Sequence, residues 1–537
     1  MEGDLPALGD LYRLKKQYQF IIYCDEAHSF LSIGKTGRGC LEYWNDQHPD
    51  ISLPCDLIDI RTAAFSKAVG CVGGLICGTL KFKDAIRTHI SHLSEEEHES
   101  LPCSTMVQTL WVLGQPTLTA RNLRRLRNIS QFCRRELSRY GLYVYGDDAM
   151  PIIPIHTGRP TIAAELSYVL RCAGVIAGPV AYPAVGFWKS RIRINLSAGY
   201  SDDDVDELVD AIIYAGQSVR ACKKVHAPRR SYHQALSKNH SQNEKKESLQ
   251  TYTKIYKLIL QTFQNQQPHN RNSNNTNTSS YNTSVLEAGH VSRALYGLGS
   301  GGSRWICGTF SPHLNVETLV AKATGMQASM AYSDSCVGLA STIAALSRPS
   351  IGYRTHYMLL AKNAPRSAHY GLRIAPKKDG PNVIQYTNIK HLCQLIDELS
   401  YNKKAHLTIY IYLPNADSAA LHQTLAALSS HKVAALGMTI LFHSPTGILN
   451  PHTLAPSCSN IELLVFGSFF TAFGLPGAYL SGSKTLVEEL RYTSRGYMFS
   501  TSSPPWVMSM QQIALQKYME QVNKSGQLCV DRLSNIL

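Results

Sequence analysis

Two short apolar runs near the start of the chain, Phe20-Ile21-Ile22-Tyr23-Cys24 and Leu57-Ile58-Asp59-Ile60, constrain its fold more than any other feature. Each is rich in β-branched residues and gives way to polar ones, Asp25-Glu26-Ala27-His28-Ser29 after the first and Ser66-Lys67 after the second. That is the pattern of a buried parallel strand presenting its side chains at the carboxyl edge. A carboxylate, an imidazole and a lysine are therefore expected at one rim. The set suits pyridoxal phosphate, which needs a lysine for a Schiff base and a carboxylate to keep the pyridine nitrogen protonated while the ring accepts carbanion electrons. Any one of the three alone reads as an ordinary strand-end or surface residue. Gly70, Gly73, Gly74 and Gly78 follow closely, so the backbone after Lys67 turns tightly or runs against a phosphate or a helix.

Size and charge narrow the field. The chain has 537 residues, 44% of them hydrophobic, enough for several globular domains. A formal net charge of +14 suits nucleic acid, an anionic membrane surface or a polyanionic substrate such as a coenzyme A thioester, with a merely solvated basic surface as the default. No basic-aromatic nucleic-acid motif accompanies it, and part of the excess falls in a linker, so nucleic acid is not expected. The 14 cysteines form no C-x-x-C pair and no zinc-spaced set with histidine, which argues for reduced thiols facing the cytosol, without metal or disulfide. No uncharged apolar run reaches about 18 residues, so neither a transmembrane span nor a signal peptide is expected.

Residues 105–140 carry apolar positions at helical spacing, with Arg121, Arg124, Arg125 and Arg127 on a solvated face. Residues 151–215 then read as strand, helix, strand and helix. They are Ile152-Ile153-Pro154-Ile155-His156, the apolar stretch 162–175, Arg191-Ile192-Arg193-Ile194, and Ser201-Asp202-Asp203-Asp204 capping 205–215. By the two-residue period Arg191 and Arg193 share a strand face, where a planar guanidinium grips a carboxylate with two bonds. An exposed or salt-bridged sheet face is the equal alternative. From 222 to 286 the composition turns to Lys, Arg, Asn, Gln, Ser and His, a disordered linker with one short helix over 252–263. Its sequons, such as Asn277-Thr278-Ser279, would matter only in a secretory lumen.

The second half repeats the first. Asn460–Gly482 lies on Asp56–Gly78 without a gap, so that Gly474 falls on Gly70, Gly477 on Gly73 and Thr471 on Lys67. Leu441-Phe442-His443 stands for Cys24-Asp25-Glu26. A copy with neither the lysine nor the carboxylate has no such chemistry to run.

Met1-Glu2-Gly3-Asp4-Leu5-Pro6, Asp25-Glu26-Ala27-His28-Ser29, Gly34-Lys35-Thr36-Gly37-Arg38-Gly39 and Phe65-Ser66-Lys67-Ala68-Val69-Gly70 resemble the α-oxoamine synthases. More loosely, so do Tyr296-Gly297-Leu298-Gly299-Ser300-Gly301-Gly302-Ser303-Arg304, Ile306-Cys307-Gly308-Thr309 and His313-Leu314. The resemblance implies an α/β, type I pyridoxal-phosphate transferase fold in two partial copies. Residues 1–129 would be a catalytic-subunit-like large domain lacking its front half, 130–221 a small α/β domain, and 222–286 the linker. Residues 287–537 would be a degenerate, truncated large domain like a non-catalytic subunit.

The same resemblance implies roles. Lys67 holds the cofactor and acts as base, Asp25 meets the pyridine nitrogen, and His28 meets the ring hydroxyl. Arg191, in Ser190-Arg191-Ile192-Arg193 downstream of Pro183, takes the substrate carboxylate. Ala64 replaces the family's Thr or Ser, and in the second copy Pro365 replaces its stacking histidine. The turn Phe499-Ser500-Thr501-Ser502-Ser503-Pro504-Pro505 matches the family's phosphate turn, whereas the first copy reads His98-Glu99-Ser100-Leu101-Pro102. Thr501 is thus expected to serve the cofactor phosphate at Lys67 from a pseudo-symmetric partner module or from a second chain in a homo-oligomer. The implied reaction condenses L-serine with a long-chain acyl-CoA to a 3-keto sphingoid base. A sister synthase taking glycine or alanine, and a catalytically dead scaffold, are the competing readings. The implied place is the cytosol or the cytosolic face of the endoplasmic reticulum, with membrane attachment only through a partner.

Overall fold

The computed structural model describes residues 2–90, 101, 103–182, 184–221, 231–232, 279–297, 299–305, 308–348, 355–376, 380–400, 405–414, 424, 437–446, 448 and 461–525. His98 to Ser100, Pro102, Pro183, the helix expected over 252–263, Asn277, Leu298, Ile306 and Cys307 lie outside the described residues. The chain divides into two compact units, Met1–Asp84 with Cys103–Asn272, and Ala85–Pro102 with Ser273–Leu537.

The first unit contains two three-stranded sheets. In one, β1 (Tyr23–Asp25) runs parallel to β2 (Ile60–Ala64), and β3 (Gly74–Gly78) returns antiparallel to β2. The other is antiparallel, with β6 (Ser190–Asn195) between β4 (Ile152–Gly158) and β5 (Gly178–Val180). Helices Pro116–Arg139, Pro160–Cys172 and Asp202–Ser218 bury Ile129, Leu137, Leu166, Leu170, Val205 and Val209 in one cluster with Ile153, Ile155 and Ile192. The last of these helices starts where the sequence places it. Ser201 Oγ accepts from the Asp204 amide at 3.0 Å while Asp204 Oδ2 accepts from the Ser201 amide at 2.7 Å, a reciprocal cap. The boundary expected after residue 129 falls inside the Pro116–Arg139 helix, whose apolar face continues unbroken.

The second unit is built on a seven-stranded sheet. Its strands are β7 (Ala328–Tyr332), β8 (Thr355–Ala361), β9 (Asn382–Tyr386), β10 (Ala405–Tyr412), β11 (Gly437–Ser444), β12 (Ile461–Ser468) and β13 (Ala478–Gly482), in the order β7-β13-β12-β11-β10-β8-β9. All run parallel except β13, which is antiparallel to both neighbours. Near-continuous apolar strands such as Leu407–Ile411 and Leu464–Phe466 are buried, as expected of a parallel sheet covered on both faces. The expected linker ends early, because a helix runs over Ser279–Tyr296. Gly289 on that helix lets the Met510 thioether sit 3.0 Å from where a Cβ would be, and Arg293 lies over the Trp506 ring at 5.6 Å.

The internal repeat extends to the backbone at the strand ends and at the glycines of the turn before β3. β3 and β13 begin and end at matching positions, 404 residues apart from Gly74 to Ala478. Gly70 and Gly474 both have positive φ, 73° and 64°, as do Gly73 and Gly477, 97° and 109°. The turn is closed alike in both copies. Phe65 N donates to Gly73 O at 2.9 Å and Phe469 N to Gly477 O at 2.8 Å. These glycines therefore serve the turn itself.

A buried ion network ties the glycine-rich segment before Arg304 to the seven-stranded sheet. Glu317, 6% exposed, accepts from Arg304 at 2.7 Å, from Arg491 at 2.9 Å and from the Ala331 amide at 3.0 Å. Replacing it by alanine removes the carboxylate that Arg304 and Arg491 share and leaves Arg491 with Glu488 at 3.5 Å, so Glu317→Ala should destabilise the second unit by about 3–5 kcal/mol. Denaturant unfolding of the full chain reads this directly, and an unchanged midpoint would contradict it.

Candidate active site

The parallel register of β1 on β2 pairs Asp25 with Thr62, so the residues that follow each strand emerge at the same edge. Asp25 Oδ1 accepts from the Ala27 amide at 2.9 Å, starting the turn that carries His28. Lys67 sits half-buried in the turn between β2 and β3. That turn rests on Phe65, Val69 and Cys71, which pack with Phe30, Leu31, Leu75 and Val112, and Gln108 Nε2 donates to Val69 O at 2.6 Å. Burial pushes the Lys67 ammonium below its usual range, the Asp25 charge opposing and the Arg193 charge adding to that shift. A lysine so placed is more often the free amine, the form that attacks a carbonyl carbon.

His28 meets a guanidinium. Arg193 Nη2 lies 3.4 Å from both ring nitrogens. Burial, with Arg193 and Lys67 nearby, pushes the imidazole down to about 3, so it is neutral at ordinary pH. Asp25, His28, Lys67 and Arg193 thus form one electrostatically coupled group.

Arg191 is elsewhere. It is 1% exposed, its guanidinium forms an ion pair with Glu2, its Nε donates to Lys189 O at 2.9 Å, and it stacks on the Tyr145 ring at 4.6 Å. The two arginines do alternate on β6, but only Arg193 faces His28. The two-residue period named both. What separates them is the burial of Arg191 and its carboxylate partner Glu2, which lies 189 residues away in sequence.

Glu26 and Glu42 are residues whose part the motif alone did not disclose. Glu26 is buried, its amide donates to Thr62 O at 2.7 Å, and its carboxylate accepts from Cys40 N at 3.0 Å and from Ser29 Oγ. It fastens the Asp25–His28 turn to β2 and to the Cys40–Gln47 helix. Gly39, at φ 89°, has no room for a Cβ, which would lie 2.3 Å from the Glu26 carboxylate. Glu42 likewise gathers Thr36 Oγ1 at 2.6 Å and Arg38 N at 2.9 Å. The three glycines at 34, 37 and 39 were the available signal, since all have positive φ and crowd around these carboxylates or Leu31.

The second copy presents different chemistry on the same backbone. Phe442 pairs with Val465 and His443 with Phe466, so the strand register sets His443, not Phe442, at the position of Asp25. This shifts the expected alignment by one residue. His443 is buried, accepts or donates to Tyr410 OH at 2.7 Å, and is pushed by burial down to about 3. Thr471, at the Lys67 position, donates to Pro445 O. Pro365 opens the Arg366–Ile374 helix. Thr501 is half-buried in the second unit, where its backbone bridges to Ser303, while the following Ser502 amide donates to Gly302 O at 2.9 Å. This backbone pairing joins the turn to the glycine-rich segment within the second unit.

A sequence model of the aminotransferase class I and II family matches residues 1–212 and 441–536, more than half of the chain. The chain belongs to that family. Pyridoxal phosphate is the cofactor that goes with it, and the donor set at the β1–β2 rim fits: a half-buried lysine held below its usual range, a carboxylate at the strand end and a neutral imidazole. Aminotransferase FUM8 of Gibberella moniliformis is 22% identical over 92% of this chain and 95% of its own length. Serine palmitoyltransferase 2 of Saccharomyces cerevisiae is 31% identical over 41% of this chain and 38% of its own. A solved structure described as SPT with PLP internal aldimine shares 20% identity over 47% of this chain and 60% of that one, with a TM-score of 0.39.

The His28 environment sets a pH dependence. Unfolded histidine titrates near 6.5, whereas folded His28 resists protonation to about 3. The unfolded chain therefore binds the proton first, and stability falls as pH drops through 6.5 toward 3, by at most about 1.4 kcal/mol per pH unit from this residue. His28→Gln should flatten the difference between unfolding curves at pH 7.5 and pH 5, and an unaltered difference would exclude His28 as a source.

Proposed function

We propose that the chain is a pyridoxal-phosphate-dependent acyltransferase that condenses L-serine with a long-chain acyl-CoA, releasing carbon dioxide and coenzyme A and leaving a 3-keto sphingoid base. The observation that carries this reading is the grouping of Lys67, Asp25, His28 and Arg193 at one sheet edge. Bound cofactor supplies an electron sink at the substrate α-carbon. Lys67 holds the cofactor, and once displaced by the substrate amine it takes and returns the α-proton. Asp25 accepts the pyridine N–H and keeps that nitrogen charged. His28, neutral, hydrogen-bonds without adding charge.

Arg193 is the guanidinium that takes the substrate carboxylate in this proposal, in place of Arg191. Arg191 is withdrawn by Glu2, whereas Arg193 lies within reach of His28 and Lys67. Ala64 offers no hydroxyl beside Lys67, so the cofactor is held with one partner fewer than the family pattern provides.

A second reading has support in the 95% length coverage of a relative named an aminotransferase. Transamination would pass the donor's amino group to a 2-oxo acid acceptor, leaving a keto acid without release of carbon dioxide or coenzyme A. Supplying L-serine, glycine, L-alanine and L-glutamate singly, each with palmitoyl-CoA, with a 2-oxo acid acceptor or with neither, separates these outcomes. Thiol release with serine and acyl-CoA supports the condensation, keto acid without thiol release supports transamination, and neither would leave a binding scaffold.

Lys67→Ala should abolish the visible absorbance of the cofactor-loaded protein. Arg193→Ala should weaken L-serine binding by about 1.5–3 kcal/mol, roughly ten- to a hundredfold, as for a lost charged hydrogen bond. Arg191→Ala, in contrast, should lower stability. If Arg191→Ala instead weakens serine selectively and Arg193→Ala does not, the assignment of the two arginines is reversed.

A further inference from the structure

Strands β1-β2-β3 of the first unit answer strand for strand to β11-β12-β13 of the second, parallel and then antiparallel. In the second unit both outer edges of this trio are covered, β11 by β10 running parallel and β13 by β7 running antiparallel. In the first unit β1 and β3 are the edges of a three-stranded sheet among the described residues. The difference is largest at β3. Every residue of β13 is buried, whereas four of the five in β3 are exposed. Ile76 is 57% exposed, while Leu480, which stands at its position in the repeat, is 0% exposed and pairs with Met330 of β7. Gly74-Leu75-Ile76-Cys77-Gly78 carries no charge, no proline and no bulge in its register with β2, the devices by which edge strands commonly avoid pairing.

We propose that the outer edge of β3 is a docking surface for a second copy of this chain, whose own β3 pairs with it antiparallel about a two-fold axis at Ile76. The repeat shows the direction of strand that such an edge takes, since β7 lies antiparallel on β13. A two-fold axis perpendicular to a sheet sets identical strands antiparallel, so β3 meets that requirement with itself. The β1 edge does not, because its counterpart in the repeat takes a parallel strand. The strand is also symmetric in composition, with glycine at each end and Leu75 and Cys77 on either side of Ile76. Full overlap therefore opposes Ile76 to Ile76 and Leu75 to Cys77, apolar pairs at cross-strand distance. The nearest charges along the chain, Lys67 and Lys81, lie outside the strand, and antiparallel pairing carries each away from its own counterpart. The two three-stranded sheets become one continuous sheet. A contact of one short strand from each copy is small, so association depends on concentration. Pairing at β3 requires neither cofactor nor substrate.

Sedimentation velocity of the full-length chain over a range of concentrations reads the association, and a monomer–dimer equilibrium is expected for the wild type. Ile76→Lys sets two ammonium groups against each other on the axis and should weaken dimerisation by about tenfold or more. Ile76→Val should leave it unchanged, as should Ile21→Lys at an exposed apolar residue just before β1. A second measurement does not depend on how Ile76→Lys folds. Leu75→Cys lies opposite the native Cys77 of the other copy, so mild oxidation should give a disulfide-linked dimer. The same variant with Cys77→Ser should not form it. A chain that stays monomeric at its highest soluble concentration overturns the proposal, even if it binds some other protein. So does a dimer that Ile76→Lys leaves intact, or that Ile21→Lys dissociates equally. A dimeric chain in which Leu75→Cys forms no cross-link overturns β3 as the seat of the contact.

Discussion

The parallel pairing of β1 with β2 is the constraint on which the candidate site depends. Two strands running the same way deliver their carboxyl ends to one edge, so Asp25 and the Lys67 turn share a rim although 42 residues separate them in the chain. The rest of the local structure maintains that edge. Glu26 fixes the turn after β1 from beneath, and the apolar cluster of Phe65, Val69 and Cys71 fixes the turn after β2. Removing the pairing would separate the charges that now shift one another.

Electrostatics then assign states to groups that the backbone only positions. Burial discourages charge on both Lys67 and His28, and Arg193 adds to that effect in each case. An amine able to attack and an imidazole able to hydrogen-bond without charge are what cofactor chemistry at a carbonyl requires. Arg191 shows the opposite outcome for the same residue type on the same strand. It is buried, ion-paired with Glu2 and stacked on Tyr145.

The two copies separate fold from function within one chain. Their glycine turns share backbone conformation, strand ends and closing hydrogen bonds, yet one carries Lys67 and Asp25 and the other Thr471 and His443. The turn is a steric solution that any compatible side chains can occupy, whereas the chemistry needs particular ones. Buried aromatic neighbours, Tyr410 and Phe466, surround the neutral His443 in the second copy.

By itself the sequence determined the α/β class, two strands that bring Asp25, His28 and Lys67 to one edge, the glycine turn and its repeat, and the cap of the Asp202–Ser218 helix. These rest on local patterns: apolar runs, glycines where φ must be positive, and a serine three residues before an aspartate. Tertiary structure alone decided that Arg193 rather than Arg191 faces His28, that His443 stands at the Asp25 position, that the helix beginning at Ser279 extends into the expected linker, and that Glu26 holds the turn. Each of those depends on a partner distant in the chain, such as Glu2 for Arg191, or on a strand register. Spacing shows which residues share a face, but only packing decides which of them is buried beside Glu2 and which lies against His28.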